Sequence, residues 1–400
     1  YGEVLFALNR QTEARVAFER AVSVAVPAPE AWIMLGNMNM DAGNVQDAIT
    51  AYQSYLLETP ANHSIRLNLS IGQQQAGLYL DAIENLKIIL NDEPENMKAL
   101  EVLGSIYLDL GEYDSASEQF EKSGKIDPES LNAWNGKGLV HIKKGKFDEA
   151  IECFDRIKQL YPDLTTGYLN AGHARILRHD YEGALEDIEH ALLTEHYPPS
   201  ALGDFIHIKR QTCDWDKLDE IQSKALSELN DGNLAAFPFN LIAWTNDAAL
   251  LKDTAEKFCA VRCPPLAVLE PISPYQGHEK IRIGYFSADF YEHATMVLMA
   301  RLFELHDRSK FEIYGFSFGP SKQDYMRERA EKAFDHFIDV SQLTDRATAL
   351  LARHFEIDLA IDMKGYTTHC RPGIFAYRAA PVQINYLGFP GTMGAPYIDY

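Results

Sequence analysis

In IRIGYFSADFYEHATMVLMARLF, residues 281–303, Ile281, Ile283, Tyr285 and Phe286 read as a strand and residues 296–303 as a helix. Ser287, Asp289, Glu292 and a single histidine, His293, stand at the joint. A side chain between a strand's carboxyl end and a helix's first turn faces a cleft where free amides favour negative charge. An imidazole there can take or give a proton, or hydrogen-bond a sugar hydroxyl or a phosphate. The plain alternative is a histidine that caps the helix or lies on the surface. Asp289 is read as fixing the turn through nearby backbone N–H groups. Two later stretches carry similar promise: MKGYT, with Lys364, Tyr366 and Thr367, and GFPGTMG, residues 388–394. Taken alone, each is also explained as an ordinary tight loop.

The elements that would position these residues follow from periodicity. IRIGYFSADF, FEIYGFSFG, HFIDV, IDLAIDMKGY and PVQINYLGF read as strands, and TMVLMARLFELH, SKQDYMRERAEKAF and TDRATALLARHF as helices between them. Short strands alternating with such helices predict βαβ units and a mainly parallel sheet. Ligands of these sheets bind outside the carboxyl ends of the strands. His293, residues 364–367 and residues 388–394 each follow a strand, so three loops are expected at one rim.

The first half has a different order. Alanine recurs at 14, 48, 82, 116, 150 and 184, glycine at 43, 77, 111 and 145, and proline at 60, 94, 128 and 162. Every step is 34 residues. Phe18, Tyr52, Leu86, Phe120, Phe154 and Ile188 follow the alanines by four, and Trp32 and Trp134 lie three steps apart. Such a unit suits two short helices. Glycine frees the turn between them, alanine lets them approach, the bulky residue fills the space beside it, and proline ends the second helix. LEVLGSIYLDLGEYDSASEQFEKSGKIDP contains all these parts and resembles the tetratricopeptide repeat. Five units are expected from about Ala28 to His196, preceded by the second helix of a sixth. The resemblance implies a superhelix whose concave groove holds peptide or protein; a scaffold that only packs against its neighbours is the alternative. Asn68 and Asn170 fall at the sixth, groove-facing position of their units, where Met34, Val102 and Gly136 stand elsewhere.

After about residue 197 the repeat fades. HIKRQTCDWDKLDEIQSKALSEL still reads as helix, which sets the Asp214–Trp–Asp216 triplet in a helical context rather than in a metal site. RCPPLAVLEPISPYQGHEK, with four prolines, reads as the linker. The expected domains are a repeat superhelix at 1–197, a helical bridge and linker at 198–275, and a Rossmann-like lobe at 276–400.

Composition narrows the function. An apolar fraction of 46% with 11% aromatics is that of a folded chain, and no apolar run is long enough to span a bilayer. The formal charge of −21, from 58 acidic and 37 basic residues, repels phosphate backbones and argues against nucleic-acid partners. Five cysteines show no metal-type pair and suit reduced thiols in the cytoplasm. The chain opens in what reads as helix, with neither an initiating methionine nor a signal peptide, and is expected to be a fragment.

RIGYFSADFYEH and DMKGYTTHCRPGIFAYRAAPVQINYLGFPGTMGAPYIDY, together with the repeats, resemble the protein O-linked N-acetylglucosamine transferases, the bacterial branch more than the animal one. The resemblance implies a tetratricopeptide α-solenoid followed by the first Rossmann-like lobe of a GT-B glycosyltransferase. It implies inverting transfer of N-acetylglucosamine from UDP-GlcNAc to Ser or Thr of acceptor proteins, with no metal and no cofactor beyond the donor substrate. His293 matches the family's active-site histidine. Leu387, Gly388, Phe389 and Pro390 match a loop lining the donor-sugar pocket, Thr367 after Tyr366 a loop near the same sugar, and Lys364 a lysine frequent in bacterial members. Two departures are visible: ATM follows the histidine where relatives have proline, and the groove's asparagine ladder is kept only at Asn68 and Asn170. No GxGxxG or GKS/GKT phosphate cradle is present, so nucleotide contacts are expected in a second lobe and this chain alone is expected to be inactive. A related enzyme using another sugar or an Asn acceptor, a non-catalytic scaffold, and a homo-oligomer stay open.

Overall fold

The computed structural model describes residues 1–23, 29–194, 196–266, 269–320 and 322–400. The expected start of the first full repeat near Ala28, Ala267 and Val268 of the linker, and Ser321 at the head of one predicted helix lie outside the described residues. The chain divides into two compact units, Tyr1–Pro162 and Asp163–Tyr400. Among the described residues no helix is long and apolar enough to cross a membrane.

The first unit is a series of helical hairpins: α1 (Gly2–Ala7) and α2 (Gln11–Val22), α3 (Pro29–Asp41) and α4 (Val45–Glu58), α5 (His63–Gln75) and α6 (Tyr79–Asp92), α7 (Met97–Asp109) and α8 (Tyr113–Ile126), α9 (Leu131–Lys143) and α10 (Phe147–Leu160). The periodic alanines of the second helices are fully buried. The bulky residue one turn later lies against a glycine of the first helix at Phe18, Tyr52, Phe120 and Phe154. A Cβ on Gly36 would come within 2.3 Å of the Tyr52 ring, and one on Gly138 within 2.5 Å of the Phe154 ring. Asn62, Asn96 and Ser130, again 34 residues apart, cap α5, α7 and α9 by accepting a backbone N–H three residues on.

The turn inside each hairpin needs a left-handed residue, and Gly43, Gly77, Gly111 and Gly145 supply it with φ between +70° and +77°. Asn9 stands one step earlier with φ +57°, so the incomplete unit at the start carries α1 as well as the expected second helix. The series also runs on into the second unit through His179 (φ +63°) and Cys213 (φ +54°). These turns close the hairpins α11 (Thr165–Leu177) and α12 (Tyr181–Leu192), and α13 (Ser200–Gln211) and α14 (Leu218–Asn230). The last hairpin escaped the sequence reading because Leu218 and Gln222 stand where the alanine and the bulky residue would be. It also corrects one reading: Asp214 and Asp216 lie in the turn between α13 and α14, not within a helix. Asp214 pairs there with Lys209.

Beyond α15 (Pro238–Leu241) and α16 (Ala248–Arg262) comes a five-stranded parallel sheet with strand order β3-β2-β1-β4-β5. The strands are β1 (Ile281–Ser287), β2 (Phe311–Ser317), β3 (His336–Asp339), β4 (Leu359–Asp362) and β5 (Val382–Asn385). Helices α17 (Ala294–Leu305), α18 (Tyr325–Ala333), α19 (Asp345–His354) and the short α20 (Gly373–Ala376) alternate with them. Successive strand side chains point to opposite faces. Ile283, Tyr285 and Ile313 pack with Met296, Met299 and Phe303 of α17 on one face. Phe286, Phe316 and Ala360 pack on the other with α19 and α20. Ala255 and Cys259 of α16 join this second core, so a helix of the presumed bridge is part of the sheet's covering. Fully burying side chains such as Phe286 and Phe316 is worth about 2–3 kcal/mol each. The connections run from β1 outward through β2 and β3, then cross back to β4 on β1's other side. The carboxyl ends of β1 and β4 therefore flank the switch point, where parallel sheets open a crevice.

Gly138→Val is expected to lower the stability of the repeat stack by about 1–3 kcal/mol, because the added carbons overlap the Phe154 ring. Urea unfolding followed by circular dichroism measures this. An unchanged midpoint would show that the helix pair separates without cost.

Candidate functional site

The loop after β1 is built from its acids and hydroxyls. The Asp289 backbone N–H donates to Ser287 Oγ (3.0 Å), and that of Glu292 to Asp324 Oδ2 (2.8 Å). His293 then caps α17: its Nδ1 accepts the backbone N–H of Thr295 at 3.2 Å. Its side chain is 39% exposed, and among the described residues Nε2 has no protein partner. Capping and pointing outward are therefore both true of this histidine, one for each ring nitrogen.

The Asp289 carboxylate reaches across the rim instead of to the backbone N–H groups of its own turn, where its backbone carbonyl accepts the Tyr291 N–H at 2.8 Å. Its Oδ2 accepts from Lys364 Nζ at 2.7 Å, with both side chains about 5–6% exposed, and lies 3.5 Å from Thr295 Oγ1 and 3.6 Å from His293 Nδ1. This ion pair ties the loop after β1 to the loop after β4 across the switch point. Removing one partner of such a buried pair costs roughly 3–5 kcal/mol, since the other charge is left unmatched.

The loop after β4 is organised by Asp362, whose Oδ1 accepts the backbone N–H groups of Lys364 (2.9 Å) and Gly365 (3.1 Å). Tyr366 is wholly enclosed; its hydroxyl donates to the Met393 carbonyl (2.8 Å) and its ring packs on Phe258 and Phe389. In this structure it holds the loop rather than facing solvent. Thr367 is half-buried, with Oγ1 donating to the Lys364 carbonyl at 2.9 Å.

The loop after β5 closes on the same place. A Cβ at Gly388 would sit 1.9 Å from the Met363 carbonyl oxygen and 3.1 Å from Lys364 Cα. Only glycine lets the two loops touch here. Leu387 takes φ +70° and stays partly exposed, Phe389 is buried against Tyr366, and Pro390 is exposed. The three loops expected at one rim thus meet through two contacts, the Asp289–Lys364 pair and the Gly388 backbone.

Three polar residues join this rim without having been singled out from sequence. Asp362 was masked by its place at the end of an apolar run. Asn385, ending β5 beside it, keeps a buried Oδ1 with no hydrogen-bond partner among the described residues. His369 has its imidazole pushed below the usual histidine range, first by partial burial and then by the Lys364 charge, while Asp289 pulls the other way. The two groove candidates lie elsewhere. Asn68 is the sixth residue of α5 in the first unit and Asn170 the sixth of α11 in the second, each half-buried. At the equivalent position Gly136 is occupied with the Phe120 ring. Among the described residues no three His, Cys, Asp or Glu side chains gather where they could hold a metal ion.

Burial pushes the Asp362 carboxyl up to about 6, against the pull of the Lys364 and Gly365 amides and the Lys364 charge. Unfolded, the same carboxyl ionises near pH ~4. Between roughly pH 4 and 6 the folded protein therefore keeps a proton that the unfolded chain has released. The stability this group contributes is complete below that window and is lost as pH rises through it. Asp362→Asn retains an acceptor for both amides and removes the titration. Relative to the parent, the variant is expected to gain about 2 kcal/mol between pH ~4 and pH ~7. Unfolding free energies at the two pH values check this, and a pH-independent difference would refute it.

Known proteins resemble the chain in the same two parts. Residues 255–400 match the model of glycosyl transferase family 41, and residues 2–63, 67–124 and 131–164 match tetratricopeptide-repeat models. An Arabidopsis thaliana protein named "Probable UDP-N-acetylglucosamine--peptide N-acetylglucosaminyltransferase SEC" is 31% identical over 211 residues, which cover 49% of this chain and 22% of that protein. A Caenorhabditis elegans UDP-N-acetylglucosamine--peptide N-acetylglucosaminyltransferase is 37% identical over 127 residues, covering 31% and 11%. The chain thus matches a minor part of the length of these relatives. The crystal structure of a tetratricopeptide repeat protein from Parabacteroides merdae superposes with a TM-score of 0.51 at 19% identity, covering 63% of this chain and 94% of that one, a likeness of fold alone. In its hairpin repeats and its family 41 sheet region alike, the chain is similar to the tetratricopeptide-repeat-containing O-GlcNAc transferases.

Proposed function

We propose that this chain supplies the acceptor-recruiting repeats and the first catalytic lobe of a protein glycosyltransferase. The enzyme moves N-acetylglucosamine from UDP-GlcNAc to Ser or Thr hydroxyls, inverting the configuration at the sugar and using no metal. The observation that carries this reading is the coincidence of the family 41 match with the switch-point rim, where His293, Lys364 and the 387–390 loop lie on adjoining strand ends.

The rim's chemistry suits the departure of a diphosphate. As the acceptor hydroxyl gives up its proton to solvent and its oxygen bonds to the anomeric carbon, the bond from that carbon to the phosphate oxygen breaks and negative charge grows on the leaving group. The Lys364 ammonium and the first amides of α17 are fixed positive ends that favour such charge. Leu387, Gly388 and Pro390 offer backbone and apolar surface to the sugar, with Thr367 on the neighbouring loop. The repeats, with Asn68 and Asn170 as candidate contacts, bring the acceptor polypeptide. Five unpaired thiols fit a reducing, cytoplasmic setting.

Intact-mass analysis of acceptor proteins incubated with UDP-GlcNAc and the full-length protein tests this. N-acetylhexosamine increments on Ser or Thr are expected, and His293→Ala should lower the rate by roughly 100-fold or more. A hexose increment, or modification of Asn, would instead favour a related enzyme of different specificity. Undiminished turnover in the His293 variant would remove that residue from the site.

A further inference from the structure

The geometry points to His293 acting as a hydrogen-bond donor through Nε2–H, locked in that tautomer by the helix it caps, and presenting the proton to an anionic phosphate-type oxygen. The tautomer follows from the cap alone; its use on a substrate rests on the transferase reading.

A backbone N–H can only donate. Thr295 N approaches His293 Nδ1 at 3.2 Å, so the Nδ1 lone pair is engaged and that nitrogen carries no proton. A neutral imidazole has a single N–H, which must then be on Nε2. The opposite tautomer would aim an Nδ1–H at the Thr295 N–H and leave that helix amide without an acceptor. Its compensation would be Thr295 Oγ1 at 3.1 Å, which can accept, or Asp289 Oδ2 at 3.6 Å, beyond hydrogen-bond range and already accepting from Lys364 Nζ at 2.7 Å; neither gives the Thr295 amide an acceptor. The single Thr295 hydroxyl proton is directed to Asp289 Oδ2 at 3.5 Å, so the backbone N–H is what fixes the tautomer. The Tyr291 ring, with its centroid 5.7 Å from the imidazole, completes the ring's described surroundings.

The Nε2 edge is the part with no protein partner. Lys364 Nζ has hydrogen-bond capacity beyond its contact with Asp289, whereas the Asp289 carboxylate is already engaged by Lys364. The rim therefore presents an N–H donor at Nε2 beside the Lys364–Asp289 pair, and His293 takes no proton from the acceptor hydroxyl. A base at this position would require the imidazole to exchange tautomers and uncap α17.

The chain labelled with 15N-histidine, at mildly alkaline pH, reports the ring protonation directly. The His293 signals are identified by their loss in His293→Gln. The Nε2-protonated pattern is expected; an Nδ1-protonated pattern overturns the proposal. In the full-length protein, His293→Asn keeps an acceptor for the Thr295 amide but lacks reach, while His293→Gln places an amide N–H near the original Nε2. Transfer by the Gln variant is expected to exceed that of the Asn variant by about tenfold or more, a difference that a cap-only or base role would not produce. Equal, severe loss in both overturns the donor role. An Nε2–H spectrum with undiminished transfer in both variants would instead remove the histidine from the reaction, and with it the site reading.

Discussion

A lysine ammonium and an aspartate carboxylate, 2.7 Å apart and almost free of solvent, join the loops that follow β1 and β4. Neither strand passes directly to the other in sequence, and the sheet changes direction between them. Without this pair the crevice would have two independent walls. With it, the cap of α17, the imidazole of His293 and the backbone turn at Lys364 share one set of contacts. The same carboxylate that neutralises Lys364 lies beside the Thr295 hydroxyl, so charge, helix start and ring orientation are coupled.

The third wall depends on something missing rather than something bonded. Gly388 has no Cβ, and the space where it would lie is filled by the Met363 carbonyl. Phe389 and Tyr366 then meet edge to face, and the Tyr366 hydroxyl reaches the Met393 carbonyl farther along the same loop. A glycine-rich stretch that reads as a simple turn in the sequence is thus a close approach of two strand-end loops. A close approach of this kind fixes the wall, where a simple turn would leave it free to move.

The hairpin units show how backbone geometry outlasts side-chain pattern. The left-handed turn position continues through His179 and Cys213 although neither is glycine. Packing of α11 against α12, and of α13 against α14, holds these residues in a conformation they would not choose alone. Residue identity drifted at Leu218 and Gln222 while the turn stayed at its 34-residue step. A search of the sequence for alanine and glycine in phase stops one hairpin too soon for this reason.

Periodicity determined most of the architecture by itself. A 34-residue beat of alanine, glycine, proline and bulky side chains can hardly be satisfied except by stacked hairpins, and strands alternating with amphipathic helices lead to a parallel sheet. Those signals are local or repeating, and each residue carries its own share. Residue types near strand ends also placed His293, Lys364 and Gly388 at a common edge, because every parallel strand delivers its following loop to the same side. What only the folded chain decided is how those loops engage: that Asp289 reaches across to Lys364, that Tyr366 turns inward, that His293 gives one nitrogen to a helix and leaves the other free, and that Asn385 keeps an acceptor unpaired. The Asp289–Lys364 and Tyr366–Met393 contacts join, at hydrogen-bond distance, residues 75 and 27 positions apart. No spacing along the chain encodes such a distance, since it is the sheet's strand order that brings the atoms together.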